Sequence, residues 1–489
     1  MNCKETFHPG LHEECGVFGI YDRSGEEDVI AATYSGLYAL QHRVQESCGM
    51  AINVDGVITG HRDLGLVNEV FTPQVLENLP KGGKMATGHV RYATSGSRVR
   101  ANAQPMVVRH QKGGMALCHN GNLVNAAELR QELEMDGCIF HGTSDTEVIS
   151  YLITRHRLKT SNIEEAVSRT MDSIRGAYSL VVMSPTKLIA ARDPNGFRPL
   201  CVGKLPDGYV FASESCALDA AGATLIRDLE PGEILIADRN GLRSIKDHCG
   251  KAPHTICVFE YIYFARPDSV IEGTCVHDAR IQAGRFLAQE HPIEADVVIG
   301  VPDSGLDAAL GYSQASGIPY EVGFIKNKYI GRTFIQGSQR QRENSVRIKL
   351  NVVTSTVKDK RVVLIDDSIV RGTTSARIIQ LLRDAGAKEV HFLASAPPFA
   401  YPCYFGTDIP DQEHLVAVGR DIEGINEIIG ADTLGYLSIE HARQLAIHSD
   451  CSFCDGCFTG HWPVDPPKMT MDNTFDKPLS LANKKNKSL

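Results

Sequence analysis

The chain lacks any run approaching the roughly 18 consecutive apolar residues that a membrane-spanning helix needs. Its opening stretch, "MNCKETFHPGLHEE", holds no apolar signal-peptide core, so a cytoplasmic location is expected. Positive charge is also short. Fifty Lys and Arg against 59 Asp and Glu leave a formal net charge of −9, whereas broad nucleic-acid binding needs a basic footprint. Small anionic ligands stay open, because a local cluster of lysines and arginines overrides the total. Aromatics are few, at 7%, and no internal repeat is present. What is there suits a soluble globular enzyme: 43% hydrophobic and 22% charged residues over 489 positions, enough for about two to four domains. Fourteen cysteines in a reducing compartment do not read as a disulfide framework. Most read as small buried hydrophobes, with the closely spaced "CSFCDGC" set apart.

From residue 15 to about 245, short apolar runs alternate with turns, as in "GVFGIYD", "GMAINVDGVITG", "GGMALCHNGNL" and "YSLVVMSPTKLIAARD". That is the period of antiparallel strands and hairpins, and with intervening helices it predicts an α+β or layered α/β domain. In "NAAELRQELEMDG", Asn125 and Glu128 have the spacing of a capping box, with Gly137 beyond the helix end. The second half reads as buried strands joined by helices, hence a parallel sheet. Its helix after "VVLIDDSIVRGTT" carries Ile378, Leu381, Leu382 and Ala385 at helical spacing, and Gly386 can end it. The boundary is expected at 245–255, within "SIKDHCGKAPH", and the stretch 466–489 is expected to be a poorly ordered tail.

"VVLIDDSIVRGTT" is the most specific segment. Asp366 and Asp367 end a buried strand, where open parallel sheets bind ligands, and a hydroxyl-rich loop then enters a helix N-terminus suited to phosphate. Adjacent carboxylates can hold vicinal ribose hydroxyls, directly or through a divalent cation. The loop has neither the lysine of a Walker motif nor the three glycines of a dinucleotide fingerprint. It resembles the phosphoribosyl-pyrophosphate (PRPP) motif of type I phosphoribosyltransferases. That resemblance implies that Asp366 and Asp367 contact ribose and Mg²⁺, and that Ser368, Arg371, Gly372, Thr373 and Thr374 wrap the 5-phosphate. It also implies that "GVPDSG" brings Ser304 near the Mg²⁺, and that "KNKYIGRTFIQGSQRQRENSVRIK" is a mobile lid with Lys326 and Arg332 as ligands. On sequence alone that segment is equally a solvated loop.

In the first half, "GHVRYATSG" places Arg91 at a strand end, suited to clamping a carboxylate. "CHNGNL" places Asn120 and Gly121 in a turn after a strand, where an amide and a backbone N–H can face an oxyanion. "GTSDTEV" places Asp145 before a helix, suited to an ammonium group. With Cys15 at the start of "CGVFGIYD", these resemble the glutamine amide-transfer domain of the N-terminal-nucleophile hydrolases. The resemblance implies an αββα sandwich and a propeptide, residues 1–14, whose removal frees the Cys15 α-amino group. With an ordinary pKa of about 8, that amine can serve as the local base.

The order of the two halves resembles the amidophosphoribosyltransferase family over roughly residues 15–465. This implies a glutamine amidotransferase domain at 15–250 and a phosphoribosyltransferase domain at 251–465. It also implies glutamine and PRPP as substrates, purine nucleotides as inhibitors and a homotetramer. In "LQHRVQES", Arg43 is expected to shape the glutamine site, but Val44 replaces the usual glycine. Tyr261 and Arg266 in "YIYFARPDS" are expected to help couple the two sites. "CSFCDGCFTG" begins like a ferredoxin run but has no local fourth cysteine, so any site needs a remote ligand. Resemblance to the iron–sulfur branch of the family selects Cys257, Cys403, Cys454 and Cys457. Four thiolates suit a [4Fe–4S] cluster and also tetrahedral zinc, with Cys451 an unused neighbour or a substitute.

Overall fold

The computed structural model describes residues 15–468 apart from 45, 92–98, 328–349, 408, 410–411 and 450. Residues 1–14, the cleavage point before Cys15, Arg332 and nearly all of the expected lid and tail therefore lie outside the described residues.

Two antiparallel sheets make up the first half. One is seven-stranded, in the spatial order Thr224–Asp228, Cys201–Leu205, Gly208–Ala212, Gly16–Asp22, Met85–Arg91, Ser47–Val54, Val57–Leu64. The other is six-stranded, in the order Gly241–Ile245, Ile234–Asp238, Leu188–Arg192, Gly176–Met183, Gly113–Leu123, Met106–His110. Period-2 alternation gives each sheet two apolar faces. Val17 and Tyr21 pack inward against Cys118 and Val181 of the second sheet. Phe18 and Ile20 face the other way, onto Val29, Ile30 and Leu37 of the helix Val29–Ala39. The outer face of the second sheet is covered by the helices Asp145–Lys159 and Ile163–Met171. The layers are thus helix, sheet, sheet, helix. Gly36 is what lets the first helix close down, since a Cβ there would lie 2.3 Å from the Phe18 ring.

The second half carries a four-stranded parallel sheet, Val297–Gly300, Arg361–Asp366, Glu389–Ala394 and Thr433–Tyr436. Val363 and Ile365 pack toward the helices Val276–Glu290 and Gly305–Ser316, whereas Val362 and Leu364 pack toward Thr373–Asp384 and Ile422–Ile429. Cover on both faces is what made the strand a continuous apolar run. In the last-named pair of covering helices, Thr373–Asp384 buries Ser375, Ile378, Ile379 and Leu382, leaving Leu381 and Ala385 half-buried. The strand Ser452–Cys454 returns to pair in parallel with Thr255–Cys257.

Two local expectations change. Asn125 does precede the helix Ala126–Met135, but its side chain makes no cap. It donates instead to the Ser173 carbonyl (3.0 Å) and accepts from the Arg175 N–H (2.9 Å), pinning a neighbouring loop. Asn120 and Gly121 lie inside the strand Gly113–Leu123, not in a turn after it. Gly121 has φ +139°, a backbone that favours glycine, and keeps its register to Tyr178. Among the described residues no helix is long and apolar enough to cross a membrane.

Candidate functional site

Cys15 immediately precedes the central strand of the first sheet, Gly16–Asp22, and is buried. The register pairs Gly16 with Val90, the sequence neighbours of Cys15 and of Arg91, which ends its own strand. The Arg43 Nε–H donates to the Cys15 carbonyl at 3.0 Å. Val44, in place of the family's glycine, has φ −158° and ψ 153°. That is ordinary extended backbone, and its side chain joins the core around Phe18 and Val90, so the turn does not require glycine.

Arg91 is buried, with Glu46 at 3.8 Å. Asn120 is buried as well, and its Nδ2 has no hydrogen-bond partner among the described residues. A buried native donor left unpaired is rare, and this one is open to an acceptor brought by a ligand. Asp145 begins its helix behind the Ser144 cap, accepts from the Leu123 N–H at 3.0 Å and lies 3.6 Å from His119. His89 bridges the two sheets to the His119 carbonyl at 2.8 Å, and burial pushes it down to about 3. It is therefore neutral at working pH and is held by its structural bond.

In the second half, Asp366 ends its strand and Asp367 follows, both buried. Burial, then the neighbouring Asp367, pushes Asp366 well above the carboxylate range. Asp367 is also raised by burial, against the pull of Ser304, Ser368 and Arg280. Ser304 donates to Asp367 at 2.5 Å, and Ser368 donates to its other oxygen. Gly372, at φ +79°, leads into the helix Thr373–Asp384, whose N-terminus has no side-chain cap. Thr373 and Thr374 are exposed there, beside Arg371. These backbone donors and hydroxyls are available to a phosphate. Lys326 pairs with Asp303 at the edge of the same site.

The third site is an enclosed apolar cavity. Cys257, Cys403, Cys454 and Cys457 line it, among Phe259, Phe399 and other aromatic rings. Burial and the nearby Cys403 push Cys454 up to about 12. Cys457 is raised well above its ordinary value by burial and by the other three thiols. Cys451 does not line the cavity. Among the described residues no three His, Cys, Asp or Glu side chains are arranged to hold a single metal ion. The donor set itself, four cysteines lining one apolar space, is of a type that suits a thiolate-bound group.

Between these sites lies a cluster that sequence reading missed. Glu214 and Glu260, both fully buried, flank Arg43, and Arg198 joins them. Burial opposes the charge of Glu214, but His42 and Arg43 hold its carboxyl far below the usual range. Arg266 donates its N–H to Glu214 at 2.9 Å, so it does meet the first half. Tyr261 instead donates to the Ile271 carbonyl within the second half. Glu260 stands beside Tyr261 in "FEYIYFARPDS", and a buried carboxylate among aromatics was the available signal.

Residues 89–220 match the glutamine amidotransferase domain family and residues 276–402 the phosphoribosyl transferase domain family. The chain therefore joins an amidotransferase unit to a phosphoribosyltransferase unit. It is 49% identical over 461 residues to the amidophosphoribosyltransferase of Bacillus subtilis, covering 93% of this chain and 95% of that one. It is equally similar, 49% over 455 residues, to that of Archaeoglobus fulgidus, covering 93% and 98%. A solved B. subtilis glutamine PRPP amidotransferase, complexed with ADP and GMP, superposes with a TM-score of 0.87 at 48% identity, over 94% of this chain and 99% of that one. The chain belongs to the amidophosphoribosyltransferase family.

Proposed function

We propose that this protein hydrolyses glutamine at Cys15 and transfers the ammonia to PRPP, giving 5-phosphoribosylamine, glutamate and pyrophosphate, the first committed step of purine synthesis. The supporting observation is the buried Asp366–Asp367 pair at the carboxyl edge of the parallel sheet, joined by the loop 368–372 to a helix N-terminus without a side-chain cap. That is the chemistry for a ribose carrying a 5-phosphate. It occurs in a chain whose other half offers a nucleophile and an orphan amide donor.

In this reading the domains are 15–250 and 251–465, and residues 1–14 are removed. The freed α-amino group takes the Cys15 thiol proton, and the sulfur attacks the glutamine amide carbon. Asn120 Nδ2 and the Gly121 N–H receive the developing oxyanion, where two preorganised donors are worth several kcal/mol. Arg91 holds the substrate carboxylate and Asp145 its ammonium, while Arg43 shapes the site through the Cys15 carbonyl. The protonated α-amino group returns its proton to the amide nitrogen, the tetrahedral species collapses and expels ammonia, and water cleaves the resulting thioester to glutamate and the free Cys15 thiol. Ammonia then attacks the ribose C1 and the C1–O bond to pyrophosphate breaks. Ser368 to Thr374 anchor the 5-phosphate, with Lys326 and Arg332 toward the pyrophosphate. Ser304, Asp366 and Asp367 form an all-oxygen set suited to Mg²⁺, which when bound neutralises the leaving charge.

Cys257, Cys403, Cys454 and Cys457 would hold a [4Fe–4S] cluster, which supplies a structural or redox-sensitive tie, since the reaction transfers no electrons. Purine nucleotide inhibition, a homotetramer and a cytoplasmic location complete the proposal. The nucleotides ADP and GMP in the B. subtilis structure support the first of these. Incubating processed protein with glutamine, PRPP and Mg²⁺ should release glutamate and pyrophosphate together. Glutamate release indifferent to PRPP, with no pyrophosphate, overturns the reading.

A further inference from the structure

We propose that Glu260, supplied by the segment opening the second half, is a positioning residue for the glutamine reaction, because it fixes Arg43 on the Cys15 carbonyl. The inference rests on the reading of Cys15 as the nucleophile. Arg43 is fully buried and uses its donors in three directions. Nε–H goes to the Cys15 carbonyl at 3.0 Å, and Nη1 goes to Glu214 at 2.5 Å. Nη1 and Nη2 both go to Glu260, at 3.0 and 2.9 Å. Two parallel bonds to one carboxylate set the plane of a guanidinium as well as neutralising it. Glu214 cannot do this alone, because its oxygens also receive His42, Ser269 and the Arg266 N–H.

Glu260 is itself fixed. Arg198 reaches it at 3.4 Å while donating to the Phe405 carbonyl at 2.7 and 3.2 Å. Glu260–Phe264 forms a single wide π-helical turn, and Arg280 holds the Tyr261, Tyr263 and Ala265 carbonyls at 2.9, 3.0 and 2.8 Å. The Cys15 carbonyl carbon is one bond from the Cα whose Cβ carries the sulfur. A tilt of Arg43 therefore misaims Sγ without touching the groups assigned to capture glutamine.

The test compares glutamine-dependent with ammonia-dependent synthesis of phosphoribosylamine in Glu260→Gln, Glu260→Asp and Cys15→Ala. A misplacement of about 1 Å lowers turnover roughly a hundredfold. Glu260→Gln should show about that loss in the glutamine-dependent kcat, with the glutamine KM and the ammonia-dependent rate within about threefold of the parent. Glu260→Asp keeps the charge but shortens the reach, and should fall between the two. Cys15→Ala should lose the glutamine route alone. If Cys15→Ala retains that route, the nucleophile reading fails. If Cys15→Ala loses it while either Glu260 variant retains it in full, only the present inference fails. Loss of both routes in both Glu260 variants makes Glu260 merely structural and likewise overturns the inference.

Discussion

At Gly121 there is no room for a side chain: a Cβ would lie 2.1 Å from the Ala177 carbonyl oxygen, at a φ of +139°. Gly121→Ala should destabilise the protein by more than about 1 kcal/mol and abolish glutamine-dependent turnover. Ammonia-dependent synthesis should survive, and assaying both routes with a melting curve checks this. His89 makes a different prediction. The unfolded chain protonates this ring below about pH 6.5, whereas the folded chain resists until about pH 3. Its stabilising contribution is therefore complete above pH 6.5 and is lost as the pH falls, by roughly 2 kcal/mol at about pH 5. His89→Gln should lose less melting temperature between pH 7 and 5 than the parent, and an equal loss would refute the assignment. Asn120 and Gly121 were legible as residue types, because an oxyanion site needs those donors. Their place inside a strand was not, since only pairing to Tyr178 and Ser179 reveals it.

Elements were legible where one contiguous stretch carries both the pattern and the chemistry. The strand, loop and helix from Arg361 to Asp384 are of this kind: alternate side chains feed two cores, and the ligand groups fall at the strand's end. The helix Ala126–Met135 shows the limit. Its boundary was readable from Asn125 and Gly137, but its cap was not, because Ser173 and Arg175 offer Asn125 better partners from 48 and 50 residues away. Asn125→Ala should therefore cost about 1–2 kcal/mol through the loop. Glu128→Gln should stay within about 0.5 kcal/mol, as no capping bond is lost. Urea melts of the two variants separate loop pinning from capping, and equal losses would favour the capping box.

Across the whole molecule, the junction was the least legible part. Arg43, Glu214 and Glu260 are 171 and 217 residues apart in sequence, and no local period links them. The cysteine cavity was half legible: spacing set apart Cys451, Cys454 and Cys457 alike, while the choice of Cys454 and Cys457 among them, and of Cys257 and Cys403, came from family resemblance alone. Cys451 points to no role there. If the four thiols hold a cluster, Cys454→Ser should lower iron content, melting temperature and removal of residues 1–14 together, because metal-ligand bonds contribute directly to folding. Iron analysis, visible absorbance and intact mass check this. Colourless parent protein with stoichiometric zinc, or a fully processed and active variant, would reject it. The parallel pairing of Thr255–Cys257 with Ser452–Cys454 also has a consequence for synthesis. The ribosome adds about 200 residues between the two strands, a delay of roughly 10–40 s at 5–20 residues per second. Until the later strand emerges, the stretch leading into Glu260 has no neighbour on that side. On the proposed reading, a nascent chain finishes the site that would release ammonia no earlier than the site that would consume it.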